Sequence, residues 1–133
     1  MALLGKDDIL SASDIQYEEM HVPEWNGDVR LKTLTGRERD KFEASMMKIN
    51  KKGQREENLE NLRARLISFC LVDEDGRRIF LNDYEVNALG EKSVAALQRV
   101  FNKCQEMNGM TDSDVEEMAE GFEQAPDESS SSD

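Results

Sequence analysis

Residues 22–42 read Val22-Pro23-Glu24-Trp25-Asn26-Gly27-Asp28-Val29-Arg30-Leu31-Lys32-Thr33-Leu34-Thr35-Gly36-Arg37-Glu38-Arg39-Asp40-Lys41-Phe42. Asn26-Gly27 is a strong hairpin signal, because both residues tolerate positive φ and so match the twist of flanking strands. Downstream, Val29, Leu31 and Thr33 alternate with Arg30, Lys32 and Leu34, the pattern of a strand with one wet face. Upstream, residues 17–22 are predicted as the first strand, with Met20 and Val22 on one face. Pro23 has no N–H to donate, so this strand is an edge or ends there. Thr35 with Glu38 three residues on makes a capping box, and a helix starts behind it. The predicted order is strand, tight turn, strand, helix.

Outward from this stretch the period becomes helical. A first helix is predicted over residues 36–49, with Phe42, Met46 and Ile49 on one face, ended by Lys51-Lys52-Gly53-Gln54. A second is predicted over residues 56–72. Its stripe of Leu59, Leu62, Leu66 and Phe69 widens through Ile67, Cys70, Leu71 and Val72, which makes it the central core element. Asp73-Glu74-Asp75-Gly76 is a turn with Gly76 at positive φ, and residues 77–81 are a short extended piece with Ile79 and Leu81 inward. Asn82 with Glu85 caps a short helix over residues 83–89. The next helix runs over residues 92–107, with Val94, Leu97, Phe101 and Cys104 on one face and Asn108-Gly109 closing it. The expected core includes Val29, Leu31, Phe42, Leu62, Leu66, Phe69, Leu97 and Phe101.

The ends differ in kind. Residues 1–14 show no period and are expected to be a flexible leader; residues 15–110 form one compact α+β domain. Residues 111–133 are an acidic tail. Val115, Met118 and Phe122 have helical spacing within it, and residues 124–133 are too polar to order themselves. The fold class expected is α+β, mostly α-helical: a small N-terminal β-hairpin packed on about four helices, with a disordered acidic C-terminal tail.

The 133 residues suit a single domain. They carry 29 acids against 17 bases, a net charge of −12. The tail alone holds nine acids and no base, leaving 20 acids against 17 bases elsewhere, so the acidity belongs to the tail. A chain this acidic does not fit nucleic acid, whose phosphates need clustered Lys and Arg. Between Arg30 and Arg55 there are nine bases and three acids. That run is either a solvated basic face or a dock for an acidic partner, including this chain's own tail. No signal peptide is expected, and no apolar run approaches a membrane span.

Chemistry-bearing patterns are missing from the sequence. His21 is the only histidine and has no neighbouring ligand set, so it is a surface or strand residue and no metal or cofactor is expected. Asp73 to Gly76 lacks the leading carboxylate and the closing Glu of a calcium loop. Cys70 and Cys104 sit in helical patterns as free buried thiols. No nucleophile–base pair or phosphate loop is present, so the chain is not expected to be an enzyme. A binding or assembly role remains.

One resemblance supplies a class. Val22 to Trp25, Gly27, Val29 to Leu31, Leu34 to Gly36 and Glu38 to Glu43 resemble the tail assembly chaperones of long-tailed, siphovirus-type phages and prophages. This motif is a folding signature without catalytic logic. The resemblance implies a helper in the bacterial cytosol that binds the tape measure protein and keeps it soluble. It also implies recruitment of tail tube subunits, self-association, and absence from the finished particle. Such a helper must cover apolar stripes of a long helical client, and flexible, polarisable Met side chains suit that task. Met46, Met47, Met110, Val115, Met118 and Phe122 are the expected partner contacts, with core filling as the competing role of the Met residues. The alternative class is a small structural tail or neck protein of the particle.

Overall fold

The computed structural model describes residues 2–111 together with Ser113, Asp114 and Glu117. In chain order its elements are α1 (Lys6–Ser11), β1 (Tyr17–Val22), β2 (Gly27–Lys32), α2 (Gly36–Ser45), β3 (Met47–Ile49), β4 (Arg55–Glu57), α3 (Leu62–Cys70), β5 (Leu71–Val72), α4 (Asp83–Leu89) and α5 (Val94–Met107). The fold is mixed α and β with helix in excess, and an N-terminal hairpin packs on the helices, as the sequence predicts. β1 and β2 pair antiparallel from Tyr17↔Lys32 to Val22↔Gly27. β5 adds to the other edge of β2, giving the order β1-β2-β5.

The hairpin connection is longer than a two-residue turn. Pro23–Trp25 form one turn of 3₁₀ helix, and Asn26 then takes the left-handed conformation at φ 59°. Gly27 stays outside the positive-φ region and opens β2. A proline pre-set near φ −65° at the first position favours the helical turn, so Asn26 alone reverses the chain.

The capping box is present in full: Thr35 Oγ1 accepts from the Glu38 N–H, and the Glu38 carboxylate accepts from the Thr35 N–H. α2 ends at Ser45, four residues before the predicted end, and a second hairpin of β3 and β4 follows. Asn50 Oδ1 accepts from the N–H groups of Lys52 and Gln54, and Gly53 sits at φ 79°. That Asx turn offers the backbone a better set of bonds than another helical turn would. Ile49 is consequently exposed. Arg65 holds the base of this hairpin to α3, donating to Ser45 O, Ser45 Oγ, Asn58 O and Glu60 O. Burial lowers its pKa.

The predicted helix over residues 56–72 is divided three ways. Residues 55–57 belong to β4, Asn61 turns left-handed at φ 56°, and α3 spans Leu62–Cys70. Leu71 and Val72 then continue without a loop as β5. A run that is apolar on all sides is buried either as helix or as strand, and the free edge of β2 takes its last two residues.

The core lies between the hairpin sheet and helices α2, α3 and α5. Leu31, Phe42, Leu66, Leu97 and Phe101 are buried in it, and Val29, Leu62 and Phe69 are partly buried against it. Cys70 and Cys104 are both buried and free. A hydrogen bond with Cys70, then burial, pushes the Cys104 thiol up. α5 starts at Val94, two residues after the predicted start, because the Ser93 side chain caps it by accepting from the Ala96 N–H, and Val94 is exposed. The helix closes with Gly109 at φ 65°; Gly109 N–H bonds to Glu106 O and Met110 N–H to Gln105 O. This left-handed closure turns the chain back and buries Met110.

The leader contains α1, in which no residue is buried. Leu3, Leu4, Ile9 and Leu10 stand 58–97% exposed. Beyond α5, the Thr111 hydroxyl accepts from the Asp114 N–H, and the Asp114 carboxylate accepts from the Thr111 N–H.

Candidate functional site

An open groove of about 720 Å³ lies where the hairpin connection, the segment after β5 and α4 meet. Its walls are Trp25, Val29, Leu71, Ile79, Phe80, Ala88 and Leu89, with Glu24 and Lys92 at the rim.

The first wall comes from the 3₁₀ turn. Glu24 forms a two-point pair with Arg99 of α5, at 3.0 Å from Nε and 2.9 Å from Nη2. The hydrogen bond from Arg99 holds the Glu24 carboxyl below its ordinary pKa. With the turn tied to α5, Trp25 is left partly buried against the core with a side toward the groove.

The second wall is built by the turn after β5. Asp73 Oδ1 accepts from the N–H groups of Asp75 and Arg77, and Gly76 takes φ 83°. The backbone bond from Arg77 is the largest of the effects that lower the Asp73 pKa. The chain therefore returns along β5: Arg78 bridges to Val72, and Ile79 N–H reaches Leu71 O at 3.3 Å. The Arg78 guanidinium lies 4.5 Å over the Phe69 ring and donates to Ser68 O and Phe80 O. This anchor sets the side-chain parity. Phe80 turns in, Ile79 sits 48% exposed at the groove, and Leu81 faces out. The predicted inward pair of Ile79 and Leu81 is thus shifted by one residue, because pairing with Val72 overrides the local alternation.

α4 closes the groove. It starts where the Asn82 side chain accepts from the Glu85 N–H, and it presents Ala88 and Leu89. The Lys92 ammonium has no ion pair among the described residues. The groove can therefore hold apolar side chains and favours a carboxylate beside them. It has no paired acid and base. Among the described residues no cluster of His, Cys, Asp and Glu is placed to hold a metal, and no helix is long and apolar enough to cross a membrane. His21 is on the outer face of β1, with Nδ1 2.8 Å from Asp28 Oδ1 and both side chains mostly exposed.

The expected partner contacts are scattered. Met46 is fully buried as the C-cap of α2, and Met110 is buried by the turn after α5. Both fill the core and present no surface in this structure. Met47 is partly buried in β3. Val115, Met118 and Phe122 lie outside the described residues. The sequence reading passed over Trp25, Ile79 and Phe80 as a binding set. The available signal was the nearness of each aromatic residue to a turn, Trp25 beside Asn26 and Phe80 four residues after Gly76.

No family model matches the chain, and no curated protein sequence matches it. Among solved structures, the fold is similar to that of the bacteriophage HK97 tail assembly chaperone. The TM-score is 0.54 at 17% identity, over 80% of this chain and 95% of that one. At this identity the likeness is one of fold.

Proposed function

We propose that this chain is a tail assembly chaperone of a long-tailed phage or prophage. Its client would be the tape measure protein, which it keeps soluble while tail tube subunits are recruited. The observation that carries the reading is the similarity in fold to the HK97 tail assembly chaperone across nearly all of that chain. The family motif within residues 22–43 is a second support, and it coincides with the hairpin, whose connection shapes one wall of the groove, and with the capping box that starts α2.

The physical task fits the parts. A client helix with an apolar stripe would seat against Ile79, Phe80 and Trp25, with a client carboxylate near Lys92. The acidic tail would keep the loaded complex dispersed by repulsion. It would also add Val115, Met118 and Phe122 as a second apolar face that orders on binding, which keeps affinity modest.

Co-expression with the tape measure protein tests this. The full chain is expected to hold the client in the soluble fraction, and Ile79→Asp is expected to lose most of that capture. A chain ending at Met110 separates tail from body: weakened capture assigns a share of the client surface to the tail, and full capture assigns it all to the body. Failure of the full chain to solubilise the client overturns the reading. So does recovery of this protein from purified particles by mass spectrometry, which would make it a structural component.

A further inference from the structure

A second cleft, of about 240 Å³, lies between α2, α3 and the segment leading into α4, and it shares no lining residue with the groove beside Trp25. Its apolar lining is Phe69, Leu81 and Val86, and Leu81 is 66% exposed. Among the described residues, three cations line it against one acid, Asp83. Lys41 is exposed and forms no ion pair among the described residues. Arg78 is held over the Phe69 ring by bonds to backbone carbonyls, not to carboxylates. Glu38, a carboxylate that feels the Arg78 charge, is already paired with Lys32. Arg65 likewise gives its donors to backbone and hydroxyl oxygens. A cleft with apolar walls and cations short of counter-charge fits a large apolar side chain flanked by carboxylates.

We propose that this cleft holds the chain's own acidic tail, with Phe122 against Phe69, Leu81 and Val86, and Glu120 and Glu123 facing Lys41 and Arg78. Residues 111–133 carry nine acids and no base, and Phe122 is their largest apolar side chain. The root of the tail is beside the cleft. Asn108 Oδ1 accepts from the Leu34 N–H at 2.8 Å, and Asn108 Nδ2 lies 3.8 Å from Cys70 Sγ. Leu34 stands just ahead of α2, and Cys70 is the last residue of α3. Phe69 therefore adjoins this contact, and Lys41 follows the first residue of α2 by five positions, about 8 Å along the helix axis. Residues 111–122 reach about 18 Å as a helix and about 40 Å extended, so either conformation covers that distance. The tether gives the tail an effective concentration on the order of 1 mM, which favours it over the tail of a second copy in dilute solution. The charged contacts are exposed and screened by salt, so the hold should be weak and should add little to the stability of the body. A weak hold suits a tail whose apolar residues are also proposed to order on a client.

Backbone amide shifts in NMR spectra test this with no client present. At low salt, the full chain should differ at Phe69, Leu81 and Val86 from a chain ending at Met110. High salt should shrink those differences, and dilution of the full chain should leave them unchanged. In the full chain, Lys41→Glu and Phe122→Ala should each move the same shifts toward those of the shortened chain. Circular dichroism checks that both variants fold. A peptide of residues 111–133 added to the shortened chain should restore the full-length shifts, and Phe122→Ala in the peptide should weaken its binding several-fold. Differences confined to the surroundings of Leu34 and Asn108, beside the cut, overturn the proposal. Differences centred on Lys48, Lys51 and Lys52 also overturn it, by putting the tail on the β3–β4 hairpin. Differences lost on dilution overturn it by giving the cleft to another copy's tail, and so do cleft shifts that neither variant moves. The tape measure protein is absent from every sample, so failure here leaves the function proposed above standing.

Discussion

Leu66 is fully buried at the centre of α3, and Leu66→Ala should cost about 2–5 kcal/mol. Urea melts measure this, and a loss under about 1 kcal/mol would show that the site collapses around the cavity. Lys32 and Glu38 behave differently. Lys32 is buried and ion-paired with Glu38. Burial raises the Glu38 pKa, but the hydrogen bonds from Lys32 and the Thr35 N–H outweigh it and leave the pKa below the ordinary carboxylate value. A depressed folded pKa stabilises above the ordinary carboxylate value, and that gain is lost as pH falls through the folded value. Wild-type stability should therefore drop more steeply below pH 4.5 than that of Glu38→Gln. At neutral pH the substitution should cost roughly 1–3 kcal/mol by leaving Lys32 without its anion. The Thr35–Glu38 cap was legible from spacing alone because both partners lie within one turn. The burial of Lys32 was not, since alternation along β2 cannot show that the cap's own carboxylate would fold over it.

At the scale of elements, what could be read depended on where each element finds its partners. α4 starts and stops where its local signals place it, because Asn82 and Gly90 act on their own neighbours. The β3–β4 hairpin was misread as helix because its pattern of Phe42, Met46 and Ile49 fits a helical face as well. β5, and the parity that brings Phe80 into the groove, depend on a strand roughly 40 positions away in the chain, which no local window contains. The groove was not legible for this reason: Trp25 was read only as part of the hairpin motif, Ile79 was assigned to the core, and Phe80 was passed over. The second hairpin can be tested at its turn. Gly53 sits at φ 79° with open space around it, so Gly53→Ala should cost about 1–2 kcal/mol from backbone strain alone. Gly36 at the start of α2 also has open space but no positive φ, so Gly36→Ala should be neutral or stabilising by up to about 1 kcal/mol. Thermal melts of the two variants should move apart; equal midpoints would count against the turn at Gly53.

For the whole molecule, the charge is uneven. Removing residues 111–133 takes nine acids and no base from a chain of net −12. Among the described residues, the core lies entirely before that point, so the thermal midpoint of the shortened chain should stay within about 4 °C, the shift expected for less than about 1 kcal/mol. A larger fall would mean that the tail packs on the body. The order of elements along the chain carries a further consequence. α5 supplies Val100, Phe101 and Cys104 to the core and is the last long helix before the tail. A growing polypeptide that stops at residue 93 has its hairpin, α2, α3 and β5 in place but lacks Val100, Phe101 and Cys104 of α5, which complete the core between them. An isolated hairpin is marginal in water. During synthesis, then, this protein cannot settle from its N-terminus onward as a multidomain chain does. It should fold in one step, once residues 94–110 have left the ribosome.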